Sequence, residues 1–185
     1  MKKGFIIAFP TDTVYGIAAR FDDLIGIKKI NDLKQRSDEQ KIAVLCDSIE
    51  MIESLAIVSD DARKLINEFM PGAFTIILKS KQEYFDITLE DTVGVRIPNR
   101  LLSTEIIRKY GPLKTTSINI HNAPPINDYK TIVALFGDKI DAIYEGEMKP
   151  NSIASTVIDF TKEEYIIHRE GMITKKMIDE ILDRR

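Results

Sequence analysis

The sequence predicts a mixed α/β fold in a single domain that covers residues 1–185. Two observations support this fold class. Strand-like and helix-like segments alternate along the chain, and neither an internal repeat nor a linker rich in Pro, Gly and Ser divides it. With 185 residues, the chain is long enough to bury a substantial core without disulfides or a structural metal ion.

Short runs of apolar and β-branched residues predict the strands, because such residues favour half-buried or fully buried positions in a sheet. In the strand predicted at 92–98, alternation puts the valines on one face and Gly94 and Arg96 on the other. In chain order, the predicted strands cover residues 4–9, 41–46, 71–80 after an initial turn, 92–98, 113–117, 141–146, 155–160 and 165–171.

Capping residues and apolar periodicity predict the helices. Ser48 and Ser59 are predicted N-caps, and Gly111 and Gly137 end the two helices that precede them. From Leu24 onward the first helix has an apolar residue at every third position, as is typical of an amphipathic helix. In chain order, the predicted helices cover residues 22–36, 48–55, 59–69, 101–110, 128–136 and 174–185.

The charge balance argues against broad, nonspecific binding to nucleic acid. The chain has 26 Lys plus Arg and 29 Asp plus Glu, hence a formal net charge of −3, although a local basic face stays open. Cys46 is the only cysteine and stands in an apolar run, which is typical of a core residue. Because no stretch has the pattern of a signal peptide or a membrane span, we expect a cytoplasmic protein with no membrane partner.

Several common cofactor and catalytic signatures do not occur in the sequence. It has no P-loop, no glycine fingerprint of a Rossmann fold and no G-x-S-x-G nucleophile motif. Neither His121 nor His168 has a His or Cys neighbour at metal-ligand spacing, so no metal site built by the protein is predicted.

A cluster of polar side chains follows the first predicted strand in the stretch FPTDTVYGIAA. Pro10 ends the strand, and Thr11, Asp12 and Thr13 favour turns and helix caps. One interpretation is that this turn only stops a strand and starts a helix. The other is a ligand site at the end of a strand, as is common in α/β proteins.

Three cations stand around one predicted loop. Lys34 and Arg36 end the first helix, and Lys41 leads into the next strand. Such a group suits a phosphate or a carboxylate, but cations at the end of a helix also complement its dipole. Arg96 leaves a similar choice open, since a buried guanidinium needs an anion and an exposed one can face water.

Seven motifs in this order resemble the YrdC-like family of threonylcarbamoyl-AMP synthases: PTDTVYG, KQR with Lys41, PGAFT, VGVRIP, TTSIN, STVID and HREG. The resemblance runs from Pro10 to about Gly171. The length is similar to that of the short bacterial form, without the extra C-terminal domain of some relatives.

This resemblance implies a twisted sheet with a concave polar face and a nucleotidyltransferase activity. The enzyme would join L-threonine, bicarbonate and ATP, whose phosphates carry Mg²⁺, into threonylcarbamoyl-AMP and release pyrophosphate. That product serves the t6A modification of tRNA, so the proteins that receive the adenylate are expected partners.

The resemblance also implies roles for individual residues. Lys34 and Arg36 match the catalytic pair that contacts ATP. Ile118 stands where the family has alanine, so its larger side chain is expected to narrow the wall of the site. The implied substrate-binding residues are Thr11, Thr13, Tyr15, Lys41, Thr75, Arg96, Thr115, Ser117, Asn119, Ser155 and Arg169.

Two alternatives to the synthase stay open. The first is a binding module for double-stranded RNA or tRNA that performs no chemistry, although the net acidity and the lack of basic runs interleaved with aromatic residues count against it. The second is a non-catalytic paralogue of the same fold whose pocket has drifted. ATP binding, measured with and without threonine, distinguishes the three.

Overall fold

The computed structural model of this chain describes residues 1–35, 37, 40–119, 123–148 and 153–183. Within these ranges, helices pack around one nine-stranded mixed β-sheet, which confirms the predicted mixed α/β fold. The extent of the domain, residues 1–185, stays a prediction. No helix in the described ranges is long and apolar enough to cross a membrane.

The elements are short and follow one another closely along the chain. The strands are β1 Ile7–Pro10, β2 Tyr15–Arg20, β3 Val44–Leu45, β4 Phe74–Lys79, β5 Thr92–Arg96, β6 Leu113–Ser117, β7 Ala142–Ile143, β8 Thr156–Asp159 and β9 Ile166–Arg169. The helices are α1 Leu24–Lys34, α2 Ile49–Leu55, α3 Asp60–Phe69, α4 Gln82–Thr88, α5 Leu101–Tyr110, α6 Tyr129–Phe136 and α7 Lys175–Ile181.

The sheet brings distant parts of the chain side by side. Its strand order is β7-β1-β2-β6-β3-β5-β4-β8-β9. The pairs β1–β7, β3–β5 and β4–β8 are parallel, and the remaining neighbours are antiparallel. Strands from both halves of the sequence therefore alternate in the middle of the sheet.

The two faces of the sheet are covered differently. On one face, Val93 and Val95 of β5 lie in the largest apolar cluster, as the alternation in this strand predicted. On the opposite face, Ala18 and Leu113 pack against α5. Two residues further along the same face, Gly16 and Thr115 line a cavity. Helix α5 thus covers only part of this face and leaves the rest for a site.

The largest difference from the sequence-based prediction is strand β2. Residues 11–14 form the loop of a β-hairpin that joins β1 to β2, so the polar residues among them do not start a helix. Strand β2 has no polar alternation, because both of its faces are buried from Tyr15 to Ala19. The alanines and the glycine in it have low strand propensity, and tertiary packing overrides that preference.

Other differences concern helix α4 and the ends of elements. Helix α4 was not predicted, and only Tyr84 of this short helix is buried. The prediction at 41–46 was too long, since only Val44 and Leu45 form strand pairs. In α1, Ile30 is buried, whereas Leu24 is 56% exposed, so the apolar stripe does not mark the packed face along its whole length.

Candidate functional site

A cavity of about 400 Å³ opens on the face of the sheet that α5 leaves uncovered. Its floor consists of residues from adjacent strands between β2 and β9, and its volume is within the usual range of small-molecule sites. Nine residues implied as site residues by the family motifs line it: Thr11, Thr13, Lys41, Thr75, Arg96, Thr115, Ser117, Ser155 and Arg169.

The hairpin loop at one side of the cavity is held by its own hydroxyl groups. The Thr11 hydroxyl donates to the Val14 carbonyl at 2.7 Å and accepts from the backbone N–H of Thr13 at 3.1 Å. From α5, the buried Ser103 hydroxyl donates to the Pro10 carbonyl at 2.9 Å. Thr11 therefore shapes the loop in addition to lining the cavity.

Strand β2 must approach β6 closely at this point. A Cβ atom added to Gly16 would lie 2.6 Å from the Thr115 methyl group, closer than real Cβ contacts allow. Glycine at position 16 thus lets the two strands pair while Thr115 keeps its place in the cavity wall.

Arg96 anchors the hairpin loop to the floor of the cavity. Its guanidinium donates to the Asp12 carboxylate at 2.6 Å, to the Thr13 hydroxyl at 2.9 Å and to the Gly72 carbonyl at 2.9 Å. The Arg96 side chain is only 8% exposed, so this ion pair is largely buried. The two interpretations of Arg96 are thereby resolved: it lies at the cavity and its anion is Asp12. Asp12 was not among the predicted site residues, although the need of a buried arginine for an anion was a signal for it.

Arg169 enters the cavity from β9 with neutral partners. Its Nε–H donates to the Ser155 carbonyl at 2.8 Å, and its Nη2 donates to the Ser155 hydroxyl at 3.1 Å. That hydroxyl also lies 2.9 Å from the Thr75 hydroxyl. Desolvation lowers the pKa of Arg169, and the positive charge of Arg96 lowers it further.

The cavity has an excess of positive charge. Of the described residues that line it, Lys41, Arg96 and Arg169 are cationic, and none is an aspartate or a glutamate. Asp12 neutralises Arg96 from beside the cavity. Lys41 is paired with Asp91 in the same way, whereas the hydrogen bonds of Arg169 go to neutral groups of Ser155. Arg169 and several hydroxyl groups therefore face the remaining space, which suits an anionic ligand.

Lys34 and Asn119 lie beside the cavity, at the end of β6. The Lys34 ammonium donates to the Ser117 carbonyl and to the Asn119 side-chain oxygen. The Asn119 amide group donates in turn to the Ala123 carbonyl at 3.1 Å. These contacts hold the end of β6, whose Ser117 lines the cavity. Arg36, the other implied catalytic residue, lies outside the described residues.

Lys41 lines the cavity and is held in place by the residues at the start of β5. Its ammonium donates to the Asp91 carboxylate at 2.5 Å and to the Thr92 hydroxyl at 2.7 Å. Just before these residues, the Glu90 carboxylate accepts from the buried Lys114 ammonium at 2.5 Å. Desolvation lowers the pKa of Lys114, and the ion pair with Glu90 opposes that shift. This buried pair braces the segment that holds Lys41.

Tyr15 does not lie where the family motif led us to expect it. Its side chain is fully buried in the apolar cluster on the other face of the sheet, together with Ile118. The phenol donates to the Tyr144 carbonyl at 2.8 Å. Burial of the Tyr15 phenol raises its pKa. Because Ile118 is in this cluster too, its larger side chain does not narrow the cavity.

Removing the Tyr15 hydroxyl tests this placement. Tyr15→Phe should lower the free energy of unfolding by about 1 kcal/mol, since it leaves a partly buried carbonyl without its donor, and should leave ligand affinity at the cavity unchanged. Urea unfolding and ligand titration measure the two effects. Tyr110→Phe, which loses a longer contact of 3.3 Å to the Tyr144 hydroxyl, is a matched control with a smaller effect. A loss of ligand affinity without a loss of stability would contradict the placement.

Metal-binding side chains do not cluster in the described ranges. No group of three or more His, Cys, Asp or Glu residues that could hold a metal ion occurs among them. His168 lies 3.7 Å from Asp159 on the neighbouring strand and is exposed.

Comparison with known proteins identifies a family and several relatives. A family model named for Sua5, YciO and YrdC, and described as telomere recombination, matches residues 1–171. A Methanocaldococcus jannaschii protein, whose name gives threonylcarbamoyl-AMP synthase as a provisional assignment, is 33% identical over 171 residues, which cover 92% of this chain and 82% of the relative. The threonylcarbamoyl-AMP synthase of Bacillus subtilis is 28% identical over 187 residues, covering 98% of this chain and 54% of that enzyme.

A solved structure shares the fold closely. The crystal structure of Pyrococcus abyssi Sua5 complexed with L-threonine superposes with a TM-score of 0.89 at 29% identity, covering 98% of this chain and 54% of that chain. The chain described here therefore spans about half the length of the Sua5 chain and of the Bacillus subtilis enzyme.

Proposed function

Because the chain belongs to the Sua5, YciO and YrdC family, we propose that it is an enzyme of the threonylcarbamoyl-AMP synthase type. The proposed reaction is a nucleotidyl transfer that joins L-threonine, bicarbonate and ATP and releases pyrophosphate. Supply of the adenylate for the t6A modification of tRNA, partner proteins that receive it and a cytoplasmic location belong to the same proposal.

The observation that best supports this proposal is the charge of the cavity. Lys41, Arg96 and Arg169 line it with many hydroxyl groups and, among the described lining residues, without a carboxylate. A site for triphosphate, bicarbonate and the carboxylate of threonine must accept several anions at once. Preorganised cations and hydroxyl donors that line one cavity meet that need.

The proposed chemistry needs positioning more than a protein nucleophile. The threonine amine attacks bicarbonate to form a carbamate and water. A carbamate oxygen then attacks the α-phosphorus of ATP, the bond to the bridging oxygen breaks, and pyrophosphate leaves. Both steps bring two negatively charged groups together, so fixed cations lower the electrostatic cost. Mg²⁺ enters with ATP as part of the substrate.

The residues divide into two groups in this proposal. Arg169 and Lys41 contact anionic groups of the substrates, whereas Arg96 and Asp12 hold the hairpin loop against the cavity floor. Lys34 and Arg36 remain the proposed catalytic contacts to ATP, with Lys34 next to the end of β6. Asn119 supports the site through its contact with Lys34, whereas Tyr15 lies outside the cavity. The hydroxyl donors are Thr11, Thr13, Thr75, Thr115, Ser117 and Ser155.

Calorimetric titration with MgATP, with and without L-threonine, tests this proposal against its alternatives. The synthase should bind ATP, and threonine should strengthen that binding because both substrates occupy one cavity. A drifted paralogue should show no effect of threonine. An RNA-binding module should bind double-stranded RNA or tRNA with a steep dependence on salt and should not respond to ATP. Either of the last two results would overturn the proposal.

A further inference from the structure

The pairing of β8 with β9 contains an irregularity next to Arg169. Ile158 stands opposite Ile167, and the next residue back along β8, Val157, stands opposite Arg169. One step on β8 therefore matches two steps on β9. His168 is the extra residue of a β-bulge, a feature that is frequent beside active sites, where it redirects a side chain.

The bulge decides which side chain of β9 faces the cavity. In an unbroken strand, residues two apart point to the same face, so Ile167 and Arg169 would share one face. Instead, Ile167 packs on the apolar core and Arg169 lines the cavity. Without the bulge, His168 would stand opposite Val157, and Arg169 would stand opposite Thr156 on the core side.

Thr156 fastens the segment that follows Arg169. Its hydroxyl donates to the Ile173 carbonyl at 2.8 Å and accepts from the backbone N–H groups of Gly171 at 2.8 Å and Ile173 at 3.2 Å. The Thr156 side chain is fully buried and is not part of the cavity lining. A Cβ added to Gly171 would lie 2.5 Å from the Ala154 carbonyl oxygen, so the same segment also packs tightly on the chain before β8.

We propose that Thr156 is a positioning residue for Arg169. Strand β9 is fixed at Ile167 by its pairing with Ile158, and the chain after β9 is fixed at Gly171 by the Thr156 hydroxyl. Between these two points, only the bulged register places Arg169 opposite Val157. A slip by one residue would break all three hydrogen bonds of Thr156. The effect of Thr156 on turnover rests on the proposed function, whereas its effect on the orientation of Arg169 does not.

The orientation of Arg169 can be measured without any substrate. Its Nε–H donates to the Ser155 carbonyl at 2.8 Å, so this proton should exchange slowly with water and give a distinct ¹H–¹⁵N NMR signal. The loss of the signal in Arg169→Lys assigns it. Thr156→Val keeps the shape of the side chain and removes the hydroxyl, and the proton should then exchange about tenfold faster or more.

Three further variants make the measurement specific. Thr156→Ser keeps the hydroxyl and should preserve slow exchange. Thr161→Val removes a hydroxyl that binds Asp159 at 2.6 Å in the turn after β8, and it should also preserve slow exchange. Gly171→Ala keeps the Thr156 hydroxyl but places a Cβ atom 2.5 Å from the Ala154 carbonyl oxygen and 2.9 Å from the Thr156 backbone nitrogen. It should therefore displace the fastened segment and accelerate exchange, which keeps the proposal testable if Thr156→Val folds poorly.

Deletion of His168 gives a test of the register itself. The deletion makes Ile167 and Arg169 neighbours, which face opposite sides of a regular strand without help from Thr156. In the Thr156→Val background, the deletion should therefore restore slow exchange of the Arg169 proton. Continued fast exchange would contradict a role through register.

Turnover supplies the second readout. Thr156→Val should lower kcat/KM about tenfold in the wild-type background and hardly at all in an Arg169→Met background, because a residue that acts only through another shows no separate effect. Equal effects in both backgrounds, or an unchanged Arg169 signal in both Thr156→Val and Gly171→Ala, would overturn the proposal. Absence of any turnover in the wild-type protein would overturn the proposed function, and the NMR result would still decide the role of Thr156.

Discussion

Arg169→Met is expected to lower turnover by about 10²- to 10³-fold while the free energy of unfolding stays within about 1 kcal/mol of that of the wild type. The folded protein holds this guanidinium against two unfavourable effects, desolvation and the charge of Arg96, which both lower its pKa. Arg169 stays exposed to solvent, which screens both effects, and its two hydrogen bonds go to neutral groups of Ser155, so its loss should change stability only slightly.

Parallel thermal melts and pyrophosphate-release assays measure the two quantities. Arg108→Met is the matched control, because the Arg108 side chain is 62% exposed and pairs with Asp47 at 3.3 Å, away from the cavity lining. This control should change neither quantity appreciably. An Arg169→Met protein with full turnover would show that Arg169 does not contact the substrates.

Arg96→Met should instead lower both stability and turnover. The variant leaves the Asp12 carboxylate without its cation and the Gly72 carbonyl without its donor. Loss of one partner of a largely buried ion pair costs about 3 to 5 kcal/mol, so the free energy of unfolding should fall by that amount. Turnover should fall further than the folded fraction accounts for, since the hairpin loop loses its anchor on the cavity floor.

The control for Arg96→Met is an ion pair of the same type on the surface. Arg63 pairs with Glu53 and is 45% exposed, so Arg63→Met should change the free energy of unfolding by less than about 1 kcal/mol. Adding Asp12→Asn to Arg96→Met should recover part of the stability, because it removes the unpaired charge, and none of the turnover. Urea unfolding at fixed pH measures these differences. Wild-type stability in Arg96→Met would contradict the account of this pair.

Much of the site could be predicted from the sequence because its residues follow local rules. Arg96 was assigned to the face opposite the valines by alternation alone, and it lies there. Thr115 and Ser117 were predicted only through the family resemblance, and both line the cavity together with Thr116. Where a strand has one buried face and one polar face, the period specifies which side chains can meet.

The remainder depended on contacts that no local pattern contains. Tyr15 lies in a strand that is buried on both faces, so alternation could not indicate its orientation. The bulge at His168 appears only in the pairing of β9 with β8, so the sequence of β9 alone carries no local signature of it. The buried pair of Glu90 and Lys114 joins residues 24 positions apart, and nothing in either neighbourhood predicts the other.

We propose that this cavity joins threonine, bicarbonate and ATP. Release of pyrophosphate from MgATP, measured with each amino acid in turn and with bicarbonate present or removed, tests it most directly. We expect release to require both threonine and bicarbonate, and serine to support it less well by a modest factor, since one methyl group is worth about 1 to 3 kcal/mol. Release that proceeds equally without any amino acid, or without bicarbonate, would contradict the claim.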